Sequence, residues 1–237
     1  QNVLFGAKVI KICVDCKPYA YTADEMRLFI AEAAKAGMKV EGHIQTREGA
    51  RAAIEAGLWS LAHDGPLDDE LHKLMAEKGI WRAGTETPFT PYRGSERAFE
   101  RTVAGLRNAY ANGVNLTFST DADYYIPGMT RGELVINFLL TWQAADIPDA
   151  EILKVMTING YKVSETYDER GPIAPGLAAD MIAVVGNPLE DIDTLRDVRF
   201  VMKDGLVFKR DGVVVPEVFF NPGPVNGWQI GFDERVR

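Results

Sequence analysis

Residues 38–70 read MKVEGHIQTREGARAAIEAGLWSLAHDGPLDDE, and the fold is decided in this stretch. Met38 to His43 (MKVEGH) reads as a strand. The Thr46 hydroxyl is placed to cap a helix running through Ala56, Gly57 closes that helix, and Leu58 to Ala62 (LWSLA) is the next strand. A strand, a crossover helix and a second strand imply a parallel pair. Both strands run out on a histidine, His43 and His63. In parallel βα proteins active sites lie at that end of the strands.

The same grammar extends in both directions. Ala7 to Val14 (AKVIKICV) reads as a strand, and Thr22 with Glu25 forms a capping box opening a helix from Ala23 to Ala36, which Gly37 stops. Downstream, Leu67 to Lys78 is helical and ends at Gly79, and Ile80 to Gly84 is a strand. Ser95 caps a long helix to Asn112 with Gly113 at its end, and Val114 to Ser119 (VNLTFS) is a fifth strand. Repeated βα units define an α/β fold with parallel strands, a barrel or a doubly wound sheet. Arg131–Ala144 and Asp149–Val163 then read as two helices. From Asp168 short β runs take over, with Asp204-Gly205 and Asp211-Gly212 as hairpin turns. The expected organisation is therefore 1–165 for the α/β part, 166–215 for a small β-domain, and 216–237 for a C-terminal arm whose aromatics favour an ordered segment.

Five βα units are too few to close an eight-stranded barrel, and an open one would expose two strand edges. Either the sheet is open or three strands come from elsewhere. The chain opens almost directly into a strand, with no initiator Met and no signal-peptide pattern, so we expect upstream residues; localisation is unreadable.

The 237 residues carry a net charge of −8, with 46% hydrophobic and 25% charged side chains, an ordinary globular composition. The negative balance argues against nucleic acid as a partner. No apolar run reaches the ~18 residues of a membrane span. Cys13 and Cys16 stand as C-x-x-C, a spacing that fits a redox pair or half a zinc site. With no second pair in the chain, both read as unpaired thiols, Cys13 in the core.

The chain has three histidines: His43, His63 and His72. Asp121 ends the fifth strand in TFSTD, and Lys11 lies inside the first, where burying its charge unpaired would be costly. Imidazoles suit zinc, and a carboxylate can complete the site or act as base. Each residue also has a plain structural alternative: a hydrogen-bonded strand-end His, a helix-capping Asp, a snorkelling Lys. His72 falls in the helix after LDDE and reads as solvent-exposed. The loops 85–93 and 123–129 bring Tyr92, Arg93, Tyr124 and Tyr125, which could hold a substrate carboxylate and ring or serve ordinary packing.

With their flanks, these residues carry a family resemblance. GAKVIKI, the stretch from Met38 to Glu70, and LTFSTDAD closely resemble successive strand ends of the amidohydrolase superfamily, in its imidazolonepropionase-like and prolidase-like subgroup. GPIAPGLAADMIAVVGNPLEDIDTLRDVRFVMKDGLVF is similar to the segment by which such enzymes return to a small β-sandwich. The resemblance spans nearly all of residues 6–210 and implies a (β/α)₈ TIM-like barrel of which strands four to eight are present, with an appended β-sandwich domain. It makes Lys11 the fourth-strand lysine, often carboxylated and bridging two metals, His43 and His63 the next ligands, and Asp121 both ligand and catalytic proton carrier.

Two divalent cations, most simply Zn²⁺, are implied, about 4 Å apart and activating a water. The family's first-strand H-x-H pair is missing, Asp64 stands where Gly is usual, and Ser119 replaces a common Gly. The implied activity is hydrolysis of an amide or peptide-type C–N bond in an N-acyl amino acid or dipeptide-like substrate. Ring opening of a cyclic amide, deamination, or a metal-free structural role are the alternatives. The expected partners are a small-molecule substrate, neither nucleic acid nor membrane, further copies in a homo-oligomer, and upstream residues or another chain supplying the first three barrel strands.

Overall fold

The computed structural model describes residues 6–16, 18–63, 65–88 and 95–216. They fall into two units, divided between Asp168 and Glu169.

In the first unit, β1 (Val9–Cys13), β2 (Lys39–His43), β3 (Ser60–Ala62), β4 (Trp81–Ala83) and β5 (Asn115–Leu116) form one parallel sheet in sequential order. Between them run α1 (Ala23–Ala34), α2 (Arg47–Ala56), α3 (Asp69–Lys78) and α4 (Glu96–Ala111). Successive crossovers of one hand place these helices on one face of the sheet. Burial alternates accordingly along β2, where Val40 and Gly42 are buried while Lys39, Glu41 and His43 are half-buried. A Cβ at Gly42 would press on Leu58 at 2.7 Å and Val14 at 3.0 Å, which shows how closely this layer packs.

Local chemistry starts and stops each element. Thr22 and Glu25 form the capping box of α1. Thr46, Asp68 and Ser95 accept from the first turns of α2, α3 and α4. Gly57 and Gly79 end α2 and α3 in the left-handed region.

Three expectations are corrected. The segments 131–144 and 149–163 are not two helices but four: α5 (Arg131–Ile136), α6 (Leu139–Ala144), α7 (Asp149–Met156) and α8 (Ile158–Val163). The first break is a tightened turn in which Phe138 N–H donates to Val135 O at 3.2 Å, and Phe138, Leu139 and Trp142 are all buried. At the second, Thr157 leaves helical geometry at φ −121°, ψ −90°, and its hydroxyl bonds Leu153 O. Strand β5 is shorter than VNLTFS: its bonding to β4 runs out at Thr117 N–H, which donates to Arg82 O at 3.1 Å, and helical residues occupy its other edge. Asn159 donates to Leu116 O at 2.8 Å and Phe118 N–H to Val155 O at 3.2 Å. Finally, His72 is buried at 1% exposure, with its Nδ1 2.6 Å from Asn108 Oδ1 of α4. The α3–α4 seam covers it.

The second unit is a four-stranded antiparallel sheet, β6 (Met181–Val184), β7 (Val198–Lys203), β8 (Leu206–Arg210) and β9 (Val213–Val214), in sequential order. Asp204-Gly205 and Asp211-Gly212 have positive φ at both residues, the turns that match strand twist. Arg170 ties this unit together through Asp180 at 2.6 Å and Asp204 at 2.9 Å.

Burial pushes the His72 imidazole below its ordinary pKa, with Arg82 adding to the effect against the hydrogen bond to Asn108. The unfolded chain takes up a proton near pH 6.5 while the folded chain resists it, so the unfolded state binds more protons there. The contribution is full above that pH and is lost as pH falls towards the lowered folded value. Urea midpoints measured from about pH 7.5 down to about pH 5.5 should decline, and His72→Gln should flatten that slope. An identical slope in the variant would assign it to other groups.

Candidate metal centre

Register builds the site. Lys11 lies opposite Glu41 and Cys13 opposite His43, while Glu41 and His43 lie opposite Ser60 and Ala62. Side chains two apart share a face, so the face away from the helices carries a lower row of Lys11, Glu41 and Ser60 beneath an upper row of Cys13, His43 and Ala62. In the lower row Lys11 Nζ is 3.6 Å from Glu41 Oε1, and Ser60 Oγ donates to Glu41 Oε2 at 2.8 Å. Lys11 is half-exposed, so its charge is met by a carboxylate and by solvent.

His63 directly follows β3. Continued alternation would send it to the helical face, since Ala62 already points the other way. It adopts φ +75° instead. Its ring stands 4.2 Å from that of His43, edge to face at 71°. His63 Nδ1 lies 3.4 Å from Thr85 Oγ1 and 3.7 Å from Asp121 Oδ2. Asp121 is also left-handed, at φ +43°, with its side chain largely exposed. Such backbone is uncommon for residues other than Gly, and it tends to gather at functional sites.

The loop after His43 is held from β1. Buried Asp15 accepts from Gln45 N–H at 2.9 Å, Thr46 N–H at 2.7 Å and Thr46 Oγ1 at 2.7 Å. A Cβ at Gly49 would overlap that carboxylate. On the far side, Arg82 and Glu86 form a buried ion pair at the root of the loop after β4, and Thr141 Oγ1 donates to Glu86 O at 2.8 Å. Thr87 Oγ1 is 2.6 Å from the Tyr124 hydroxyl, and Tyr124 packs against Ala122, Leu134 and Phe138. Tyr125 is 70% exposed. Tyr92, Arg93 and Asp64 lie outside the described residues.

The structure thus brings His43, His63 and Asp121 together and sets Lys11 one row below His43. The residues missed from sequence are Glu41, Ser60, Asp15 and Cys13, although period-two spacing from His43 and Lys11 marks Glu41 and Cys13. The two cysteines are not the unpaired thiols expected. The chain bends after β1 and joins Cys13, half-buried, to exposed Cys16 as a disulfide with Cα atoms 5.7 Å apart. Two cavities of about 350 and 590 Å³ are lined by Gly113 to Leu116 and by Gly57 to Trp59 with their neighbours, at the opposite, N-terminal ends of the strands.

Whether the site suits a metal ion rests on its donors. Among the described residues His43 Nε2 is buried with no hydrogen-bond partner, a costly state for a polar atom unless something binds it. Two close imidazoles beside a carboxylate are a donor set for a divalent transition cation, and the residues fit.

The first unit is a parallel α/β sheet with ionisable groups at the C-terminal ends of its strands, and comparison with known proteins places it. The sequence profile of the amidohydrolase family matches residues 14–208, and the chain belongs to that family. It is 28% identical to an ochratoxinase of Aspergillus niger over 234 residues, covering 88% of this chain and 48% of the relative. It is 29% identical to an imidazolonepropionase of Streptococcus gordonii over 171 residues, covering 70% and 52%. Among solved structures, a Xaa-Pro dipeptidase with methionine bound in its active site matches with a TM-score of 0.74 at 28% identity, covering 86% of this chain and 55% of that one. The chain spans about half the length of the curated relatives it matches. No helix among the described residues is long and apolar enough to cross a membrane.

Replacing Asp15 with Ala would strip the acceptor from the Gln45 and Thr46 amides that follow His43. The expected loss is about 2–4 kcal/mol in chemical unfolding, since buried donors are left unmatched, with Asp15→Asn recovering part of it. A loss below about 0.5 kcal/mol would show that the turn holds without the carboxylate.

Proposed function

We propose that this chain carries the fourth to eighth strands of a (β/α)₈-barrel hydrolase that cleaves an amide or peptide-type C–N bond, with an N-acyl amino acid or a dipeptide-like molecule as substrate. The observation that carries the reading is the convergence of His43, His63 and Asp121 at one end of a parallel sheet, with the two rings 4.2 Å apart. In this reading His43, His63, Asp121 and Lys11 hold two divalent cations, Zn²⁺ by donor type. When bound, such cations supply Lewis acidity and lower the pKa of a bound water towards ~7.

The chain's own residues do the rest. Asp121, exposed beside His63, accepts the proton of the attacking water and returns it to the leaving amine. Thr87 orients Tyr124 at the edge of the site. With Tyr125 and the loop residues Tyr92 and Arg93, Tyr124 binds the substrate's ring and carboxylate. Lys11 Nζ faces Glu41 Oε1 at 3.6 Å. Carboxylated, it would set a second anion beside that carboxylate, so its modification and cation binding are coupled. The outer edge of β1 has no strand partner among the described residues. An edge of that kind leaves room for further strands, which the proposed barrel would take from upstream residues or from another chain. The likeness to an imidazolonepropionase favours a second reading, in which the same site opens a cyclic amide.

The test is a panel of N-acyl amino acids, Xaa-Pro dipeptides and cyclic amides, assayed before and after chelation and dialysis. Hydrolysis should vanish on metal removal and return with zinc. His43→Ala, His63→Ala and Asp121→Asn should each lower kcat about 10²-fold or more. Full activity in metal-free protein would sink the mechanism.

A further inference from the structure

One sulfur, that of Cys13, stands in the upper row of the site with Cys16 joined to it, and hydrolysis does not call on either. We propose that Cys13 and Cys16 are a dithiol–disulfide pair which, when reduced, joins His43 in a thiolate–imidazole site for a soft divalent cation such as Zn²⁺.

Four observations carry this. Cys13 and His43 are register partners on adjacent parallel strands. Ligand atoms of Cys13, Cys16 and His43 all lie within 4.8 Å of one another. His43 Nε2 is buried without a hydrogen-bond partner among the described residues. Cys16 is exposed, so small thiols and disulfides can reach the pair. Two thiolates and an imidazole are zinc-type donors. Bonds of about 2.3 Å at tetrahedral angles set two sulfurs about 3.8 Å apart, which fits within this cluster once the S–S bond is open.

The redox step uses a small disulfide such as oxidised glutathione as oxidant. Each cysteine thiolate gives up one electron and the Cys13–Cys16 bond forms. The glutathione S–S bond breaks, taking both electrons as two glutathione thiolates, and the cation is released. Reduction by two glutathione thiolates runs the same step backwards. In the reduced, loaded state His43 is held by the thiolate-bound cation, and oxidation frees it. Only this competition for His43 rests on the hydrolytic reading; the thiolate site stands without it.

The chain has just two cysteines, so any thiolate-to-cobalt charge-transfer absorption reports this pair. Protein stripped of metal, reduced, and freed of reductant under anaerobic conditions is titrated with Co²⁺ alone. A near-ultraviolet charge-transfer band should saturate at one equivalent and vanish with excess oxidised glutathione. The Cys13→Ser/Cys16→Ser double variant should lack it, and His43→Gln should weaken cobalt binding by about tenfold or more while far-ultraviolet circular dichroism is unchanged. No band in the reduced protein, or an affinity indifferent to His43→Gln, overturns the proposal. Cobalt on His63, Asp121 and Lys11 alone has only nitrogen and oxygen donors and gives no such band. Metal-dependent hydrolysis without the band therefore defeats this inference alone, and the band without hydrolysis, in protein that includes the remaining barrel strands, defeats the hydrolytic reading alone.

Discussion

The candidate site depends on the in-register pairing of three parallel strands. Because β1, β2 and β3 are aligned without a bulge, side chains of equal parity stack into rows across the sheet. One row gathers Lys11, Glu41 and Ser60, and the next gathers Cys13 and His43. A one-residue slip of β2 would send Glu41 and His43 under the helices and bring out Val40 and Gly42. Burial forbids that slip: Val40 is 2% exposed, and Gly42 leaves no room for a side chain. The apolar face thus sets the position of the polar one. Asp15 adds a second lock, tying the end of β1 to the turn after His43 through two backbone amides and the Thr46 hydroxyl.

Much of this was legible in the sequence because the signals were local. The Thr22–Glu25 box, the Thr46 and Ser95 caps, the glycines after the helices, and the Asp-Gly hairpins each act within a few residues, and the structure has them where chain chemistry puts them. What was not legible came from tertiary contacts. Residues 131–144 hold no Pro and only one Gly, near their start, so nothing local marks the tightened turn that lets Phe138, Leu139 and Trp142 be buried together. His72 follows an acidic run and looks exposed until α4 covers it with Asn108.

The site divides the same way. His43 at the end of a strand could be found by counting, and so could Glu41 had the count been carried two residues back. His63 could be located, but its direction could not, because strand alternation aims it at the wrong face. The cysteine pairing was an open alternative in the C-x-x-C spacing. It is decided by the bend after Cys13, which brings Cys16 back to within 5.7 Å between Cα atoms.

The same backbone conformation serves two purposes at the two ends of the sheet. Where helices hand over to strands, positive φ falls on Gly37, Gly57, Gly79 and Gly113, at +68°, +82°, +68° and +73°. Glycine adopts that conformation without a Cβ penalty, so these four handovers are built without strain. Where β3 and the segment after β5 run out, positive φ falls on His63 and Asp121. A glycine would relieve the strain there and remove the imidazole or the carboxylate with it. Asp146 and Glu165 also carry positive φ in this unit, so the conformation alone marks no site; at the end of β3 its consequence is geometric, since the left-handed turn swings His63 from the helical face towards His43. The helix-to-strand handovers hold the apolar framework, and the C-terminal strand ends hold the nitrogen and oxygen donors. That polarity along the strand axis is the strongest structural reason to look for chemistry at His43, His63 and Asp121 rather than in the cavities beneath them.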